Sequence, residues 1–113
     1  MFRTIPTGNI TYLMTEEKEQ LARDYTPFYL HEAEVVQGNF GPQIRYRIQF
    51  GDGTEKYLTL AYNEYRNAQL EYIRNNAPIL CCLITKDLGK GKTAYDFGIL
   101  ETEEQAEQMG LDF

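Results

Sequence analysis

The sequence predicts an all-β domain with one short helix, its five strands rolled into a small, partly open barrel in the order β-β-β-α-β-β. Three observations predict this. The stretch Gln43-Ile44-Arg45-Tyr46-Arg47-Ile48-Gln49-Phe50 alternates strictly between polar and apolar residues, as a half-buried strand does. Glycine-bearing punctuation separates the apolar segments at Gly38-Asn39-Phe40-Gly41-Pro42, at Gly51-Asp52-Gly53-Thr54 and within Lys86–Lys92. The composition includes nine Tyr and six Phe with no Trp, an aromatic content that favours strands.

The elements follow in order. Phe28 to Gln37 reads as the first strand. Gln43 to Phe50 is the second, with Ile44, Tyr46, Ile48 and Phe50 inward and Gln43, Arg45, Arg47 and Gln49 outward. After the hairpin signal at Gly51–Thr54, Lys56 to Tyr62 returns with Leu58 and Leu60 inward and Tyr57 and Thr59 outward. Asn63 can cap a helix whose Tyr65, Leu70, Tyr72 and Ile73 fit a helical stripe, and Asn75-Asn76-Ala77-Pro78 ends it. Ile79 to Thr85 is a continuous apolar run of buried-strand type, Lys86 to Lys92 a basic loop, and Thr93 to Leu100 the last strand. Residues 28–100 thus form the domain. Residues 1–27, with a Gly8-Asn9 turn, a β-like Ile10–Leu13 and helical turns from Thr15 to Arg23, read as an N-terminal appendage, and 101–113 as an acidic tail. Five strands with a helix between the third and fourth is the order of the oligonucleotide-binding (OB) fold, whose second and third strands and flanking loops bind extended ligands.

The formal net charge of −6 argues against a nucleic-acid binder until it is divided along the chain. Residues 1–25 carry −1, residues 26–100 carry 0, and residues 101–113 carry −5. The excess acidity therefore lies in the tail. No apolar run approaches the roughly 20 residues of a membrane span, and Met1 to Pro6 lack a secretory stretch, so the expectation is a cytoplasmic protein with no membrane partner. Cys81 and Cys82 are adjacent in an apolar run and read as small buried hydrophobes, not as a disulfide or metal site. Gly91-Lys92-Thr93 is not the end of a phosphate-binding P-loop, because Lys86 stands where that pattern needs glycine. His31 has no second His or reactive Ser to complete a catalytic set. No cofactor is implied.

The stretch Glu34-Val35-Val36-Gln37-Gly38-Asn39-Phe40-Gly41-Pro42-Gln43-Ile44-Arg45-Tyr46-Arg47-Ile48 resembles the first hairpin of small single-stranded-DNA-binding OB proteins, particularly phage-type ones. In these a Gly-x-Phe-Gly-like turn introduces an alternating second strand. The resemblance runs loosely from about residue 29 to 100, and Gly89 to Phe97 is similar to their basic fourth loop and final aromatic strand. It implies a non-catalytic protein of phage or bacterial DNA replication or recombination, in the bacterial host cytoplasm if phage-encoded. The ending Met109-Gly110-Leu111-Asp112-Phe113 resembles the acidic tails, finishing in Phe, with which bacterial single-stranded-DNA-binding proteins dock onto replication and repair enzymes. It lacks their run of consecutive Asp and their penultimate Pro. Leu111, Asp112 and Phe113 are the residues such docking would use; the alternatives are an amphipathic helix from Thr102 to Met109 packed on the barrel, or a solvated end.

Single strands are held by cations that track the phosphates and by aromatic faces on which bases stack. The residues placed to do this are Phe40 in the first hairpin, Arg45 and Arg47 on the outer face of the second strand, Tyr57 on the third, and Lys86, Lys90, Lys92 and Tyr95 around the last hairpin. Each has a plainer use: arginines on a strand face pair across strands, Phe40 can anchor its turn, and tyrosines line barrel rims. The rival function is an OB-like protein-interaction module without nucleic-acid binding. A nuclease is disfavoured by the lack of a spaced carboxylate cluster. Self-association through the N-terminal appendage or an exposed strand stays open.

Overall fold

The computed structural model describes residues 10–100, which form a six-stranded open sheet with two helices. The elements are β1 (Thr11–Tyr12), α1 (Thr15–Asp24), β2 (Pro27–Gly38), β3 (Gly41–Phe50), β4 (Glu55–Ala61), α2 (Glu64–Asn76), β5 (Ile79–Gly89) and β6 (Lys92–Ile99). The strands lie in the order β1-β4-β3-β2-β5-β6, all neighbours antiparallel except the short parallel pair β1–β4. Mostly β architecture with one helix between the third and fourth long strands matches the expected element order.

Alternation builds the core. Ile44, Tyr46 and Ile48 of β3 are fully buried, as are Phe28 of β2, Leu58 of β4, and Cys81 and Leu83 of β5. Phe97 of β6 packs edge-on to Phe28, with ring centroids 6.3 Å apart, and lies 4.8 Å from the Tyr46 ring. Cys81 and Cys82 are both buried and free, as their apolar context predicts. β2 slips register between Leu30 and Glu32, a bulge at His31.

Three expectations are corrected. The described part of the segment taken as an appendage, from residue 10 on, packs into the domain: Leu13, Leu21 and Ala22 belong to the same buried cluster as β3 and β5. Helix α1 starts at Thr15 as expected, capped from Met14, whose N–H donates to the Glu17 carboxylate at 3.0 Å. Helix α2 is capped by Asn63, whose side chain accepts from the Arg66 N–H at 2.7 Å, but it buries Arg66 and Ile73 and leaves Tyr65 and Tyr72 exposed. The loop read from Lys86 to Lys92 is nearly all strand, leaving Lys90 and Gly91 as a two-residue turn. Both have positive φ, 54° and 74°, the requirement of a type I′ hairpin.

The expected barrel is not closed: the sheet is open, and β4 and β6 form no ladder. The edge of β4 is paired with the two-residue β1 only at Lys56 and Tyr57, and its carbonyls are met mostly by other means. The Leu13 N–H donates to the Tyr57 carbonyl at 2.8 Å, Lys18 Nζ to that of Thr59 at 3.3 Å, and Arg66 Nη1 to that of Ala61 at 2.7 Å. Arg66 also donates through Nη2 to the Tyr95 carbonyl of β6 at 3.0 Å, so one guanidinium joins both sides of the gap. Alternate carbonyls of an edge strand point the same way, and here three in succession find a donor. The acidic tail, with Leu111, Asp112 and Phe113, lies outside the described residues.

Candidate nucleic-acid interface

The outer face of β2, β3 and β4 carries both strand arginines. Antiparallel pairing sets Arg45 between Glu34 of β2 and Thr59 of β4, and Arg47 between Glu32 and Tyr57. Arg45 is ion-paired to Glu34, donates to the Tyr12 hydroxyl at 3.0 Å, and lies over the Tyr57 ring with its guanidinium carbon 4.6 Å from the centroid. Tyr12 and Tyr57 are themselves in contact, with centroids 5.2 Å apart, and Tyr12 is half exposed. Arg47 is bonded to Glu55 at 2.5 Å and to Glu32 at 3.2 Å.

These contacts raise both arginines above their ordinary pKa, Arg45 chiefly through Tyr12 and Glu34, Arg47 chiefly through Glu32 with Glu55 adding to it. Both stay cationic at any physiological pH. The face is nevertheless not a basic stripe, because two arginines meet three carboxylates.

Phe40 stands fully exposed at the tip of the β2–β3 hairpin. The turn is tight because Gly41 takes a φ of +120°, a conformation that a side chain would strain. Tyr57 is where β4 alternation puts it. Lys86 is on β5, bonded at 2.7 Å to Asp96, with its Nζ 5.3 Å from the Tyr65 ring centroid. Burial alone would raise the Asp96 carboxyl, but Lys86, the Phe97 N–H, Tyr65 and Gln69 outweigh it and hold Asp96 below its ordinary value. Lys90 and Lys92 are exposed and form no ion pair with a described residue. Tyr95 is partly buried against the core, and burial, followed by the charge of Glu19, raises its pKa.

The predicted residues therefore fall into three groups. Arg45, Arg47 and Tyr57 share one surface, to which the structure adds Tyr12. Phe40 stands at one hairpin tip and Lys90 and Lys92 at another. At the start of α2, Tyr65 donates to Asp96 of β6 at 3.0 Å, and just before the helix the Tyr62 N–H donates to the Pro42 carbonyl at 3.2 Å. Lys86 is held by Asp96, and Tyr95 belongs to the core side.

Beside the arginines the surface dips into a concavity of about 420 Å³, with walls that include His31, Glu32, Glu34, Arg45, Arg47 and Arg74. The His31 ring shares a 2.8 Å hydrogen bond with Gln49. The carboxylate partners went unread in the sequence, although a signal existed. A two-residue turn at Asn39-Phe40 fixes the register of the hairpin, and that register sets Glu34 against Arg45 and Glu32 against Arg47. Tyr12 and Arg74 had no such signal, because chain-distant elements bring them in.

Among the described residues no group of His, Cys, Asp or Glu could hold a metal ion, and no helix is long and apolar enough to cross a membrane. Comparison of the chain with protein-family models, with curated proteins and with solved structures finds no match.

Proposed function

We propose that the protein binds single-stranded DNA along the outer face of β3 and β4, in the manner of an OB fold. One observation carries the reading: Tyr12, Tyr57, Arg45 and Arg47 form a contiguous patch of two rings and two guanidiniums on that face. Base stacking contributes about 1–3 kcal/mol per base, and Phe40 offers a further ring at the hairpin tip. The strand neighbours β4-β3-β2-β5-β6 and the helix between β4 and β5 support the OB comparison.

The carboxylates do not forbid the activity. Half-exposed ion pairs stabilise by only about 0–1 kcal/mol, so an incoming phosphate can take the place of Glu32, Glu34 or Glu55 at little cost. Titration of a fluorescent oligo-dT against a duplex of equal length, over a salt series, tests the proposal. The expected result is tighter binding of the single strand, weakening as salt rises, and a loss of about five- to a hundredfold for Phe40→Ala with Tm unchanged. Absence of binding at low salt, with residues 101–113 removed, overturns it.

The paired arginines favour a second reading, a protein-interaction surface, because a face of near-neutral mixed charge suits a protein partner. Replacing Arg45, Arg47, Lys90 and Lys92 together separates the two. Single-strand binding by the unaltered chain collapses in this variant under the first reading, whereas under the second the unaltered chain has no single-strand binding to lose.

A further inference from the structure

We infer that the bound strand does not end at β3 but crosses β2 into the concavity beside His31, where Arg74 takes one of its phosphates. The inference rests on the proposed single-strand binding and names a contact that the sequence pattern does not suggest.

Three observations carry it. First, the concavity is continuous with the proposed face, because Arg45 and Arg47 form part of its wall. Second, at about 420 Å³ it falls within the range of roughly 300–1,000 Å³ typical of small-ligand clefts, enough for a single nucleotide unit. Third, its cations differ in state. Arg45 and Arg47 are each tied to carboxylates, whereas Arg74, in the last turn of α2, makes no ion pair with any described residue. A phosphate entering the cleft must displace a carboxylate to reach Arg45 or Arg47, but it meets Arg74 without displacing anything. Its first and least costly contact is therefore Arg74.

The bulge gives the cleft its form. Inserting His31 into β2 breaks the even ladder between Leu30 and Glu32 and bends the strand where α2 comes down on it. Ile73 anchors the end of that helix in the core, which fixes Arg74, the next residue, at the cleft wall.

The test measures oligo-dT affinity across a salt series for the full chain and for Arg74→Ala, Arg74→Lys and Arg23→Ala. Arg23 is an exposed cation of α1, away from the concavity, and controls for general loss of charge. The expected result is a loss of about three- to tenfold for Arg74→Ala, a log–log salt slope shallower by about 0.7, and largely retained binding in Arg74→Lys. Arg23→Ala should change neither, and thermal melts should coincide for all four proteins. If the unaltered chain binds and Arg74→Ala behaves like Arg23→Ala, the path through the cleft is overturned while the binding face stands. If the unaltered chain does not bind single strands, both ideas fall together.

Discussion

Single residues decide how strongly this surface can attract a polyanion. Glu34 and Glu32 occupy the places on Arg45 and Arg47 that phosphate oxygens would take. Removing their charge while keeping their shape should therefore strengthen binding. For Glu32→Gln/Glu34→Gln the expected outcome is a gain in oligo-dT affinity of about three- to tenfold at low salt, read by fluorescence titration; a loss would show that the carboxylates organise the arginines for the ligand. Tyr46 makes the opposite kind of point. Its hydroxyl is fully buried and finds no hydrogen-bond partner among the described residues, and an unsatisfied buried polar group costs about 1–3 kcal/mol. Tyr46→Phe should keep or raise Tm, and a marked fall in a thermal melt would reveal a partner for that hydroxyl.

Elements show where pattern reading succeeds and where it stops. β3 was legible because its period of two coincides with burial on one side, and α2 because Asn63 marks its start. The tyrosines of α2 misled. Tyr65 and Tyr72 fit the apolar stripe, yet buried Arg66 takes the inward place, because the carbonyls of Ala61 and Tyr95 need donors at the gap. That need arises only once β4 and β6 fail to pair, which no local pattern encodes. The span of α1 was legible, but its place in the core was not, because its sequence is polar and only Leu21 and Ala22 are buried. At this scale Arg66→Ala should leave two carbonyls without donors. A loss of about 3 kcal/mol, equivalent to a Tm lower by on the order of 10–20 °C, is expected in differential scanning calorimetry, and Arg66→Lys should recover only part of it.

For the whole molecule, stability should be lost toward alkaline pH. Burial raises Cys81, with neighbouring Cys82 adding to it; burial raises Cys82; and burial pushes Tyr46 up to about 12. Each keeps its proton in the fold at a pH where the unfolded chain has released it. Their contribution is thus complete below the ordinary thiol value of 9.0 and disappears as pH climbs through the raised values. Asp96 works in the other direction. Held below its ordinary 3.8, it stabilises above that value and ceases to as pH falls through the folded one. Tm measured from pH 3 to 11 should form a plateau across the neutral range, with an alkaline shoulder that Tyr46→Phe reduces. An unchanged shoulder in Tyr46→Phe would assign it to the thiols alone.

Beyond the two-residue β1, the carbonyls of Tyr57, Thr59 and Ala61 are met by the Leu13 N–H, one ammonium and one guanidinium instead of a full-length neighbouring strand. A ladder of peptide groups parts only as a row, whereas side-chain tethers let go one at a time. Fluctuations should thus concentrate along this seam, with deuterium entering β6 ahead of β3, which is flanked by strands on both sides. The protein is built with a preferred line of first rupture.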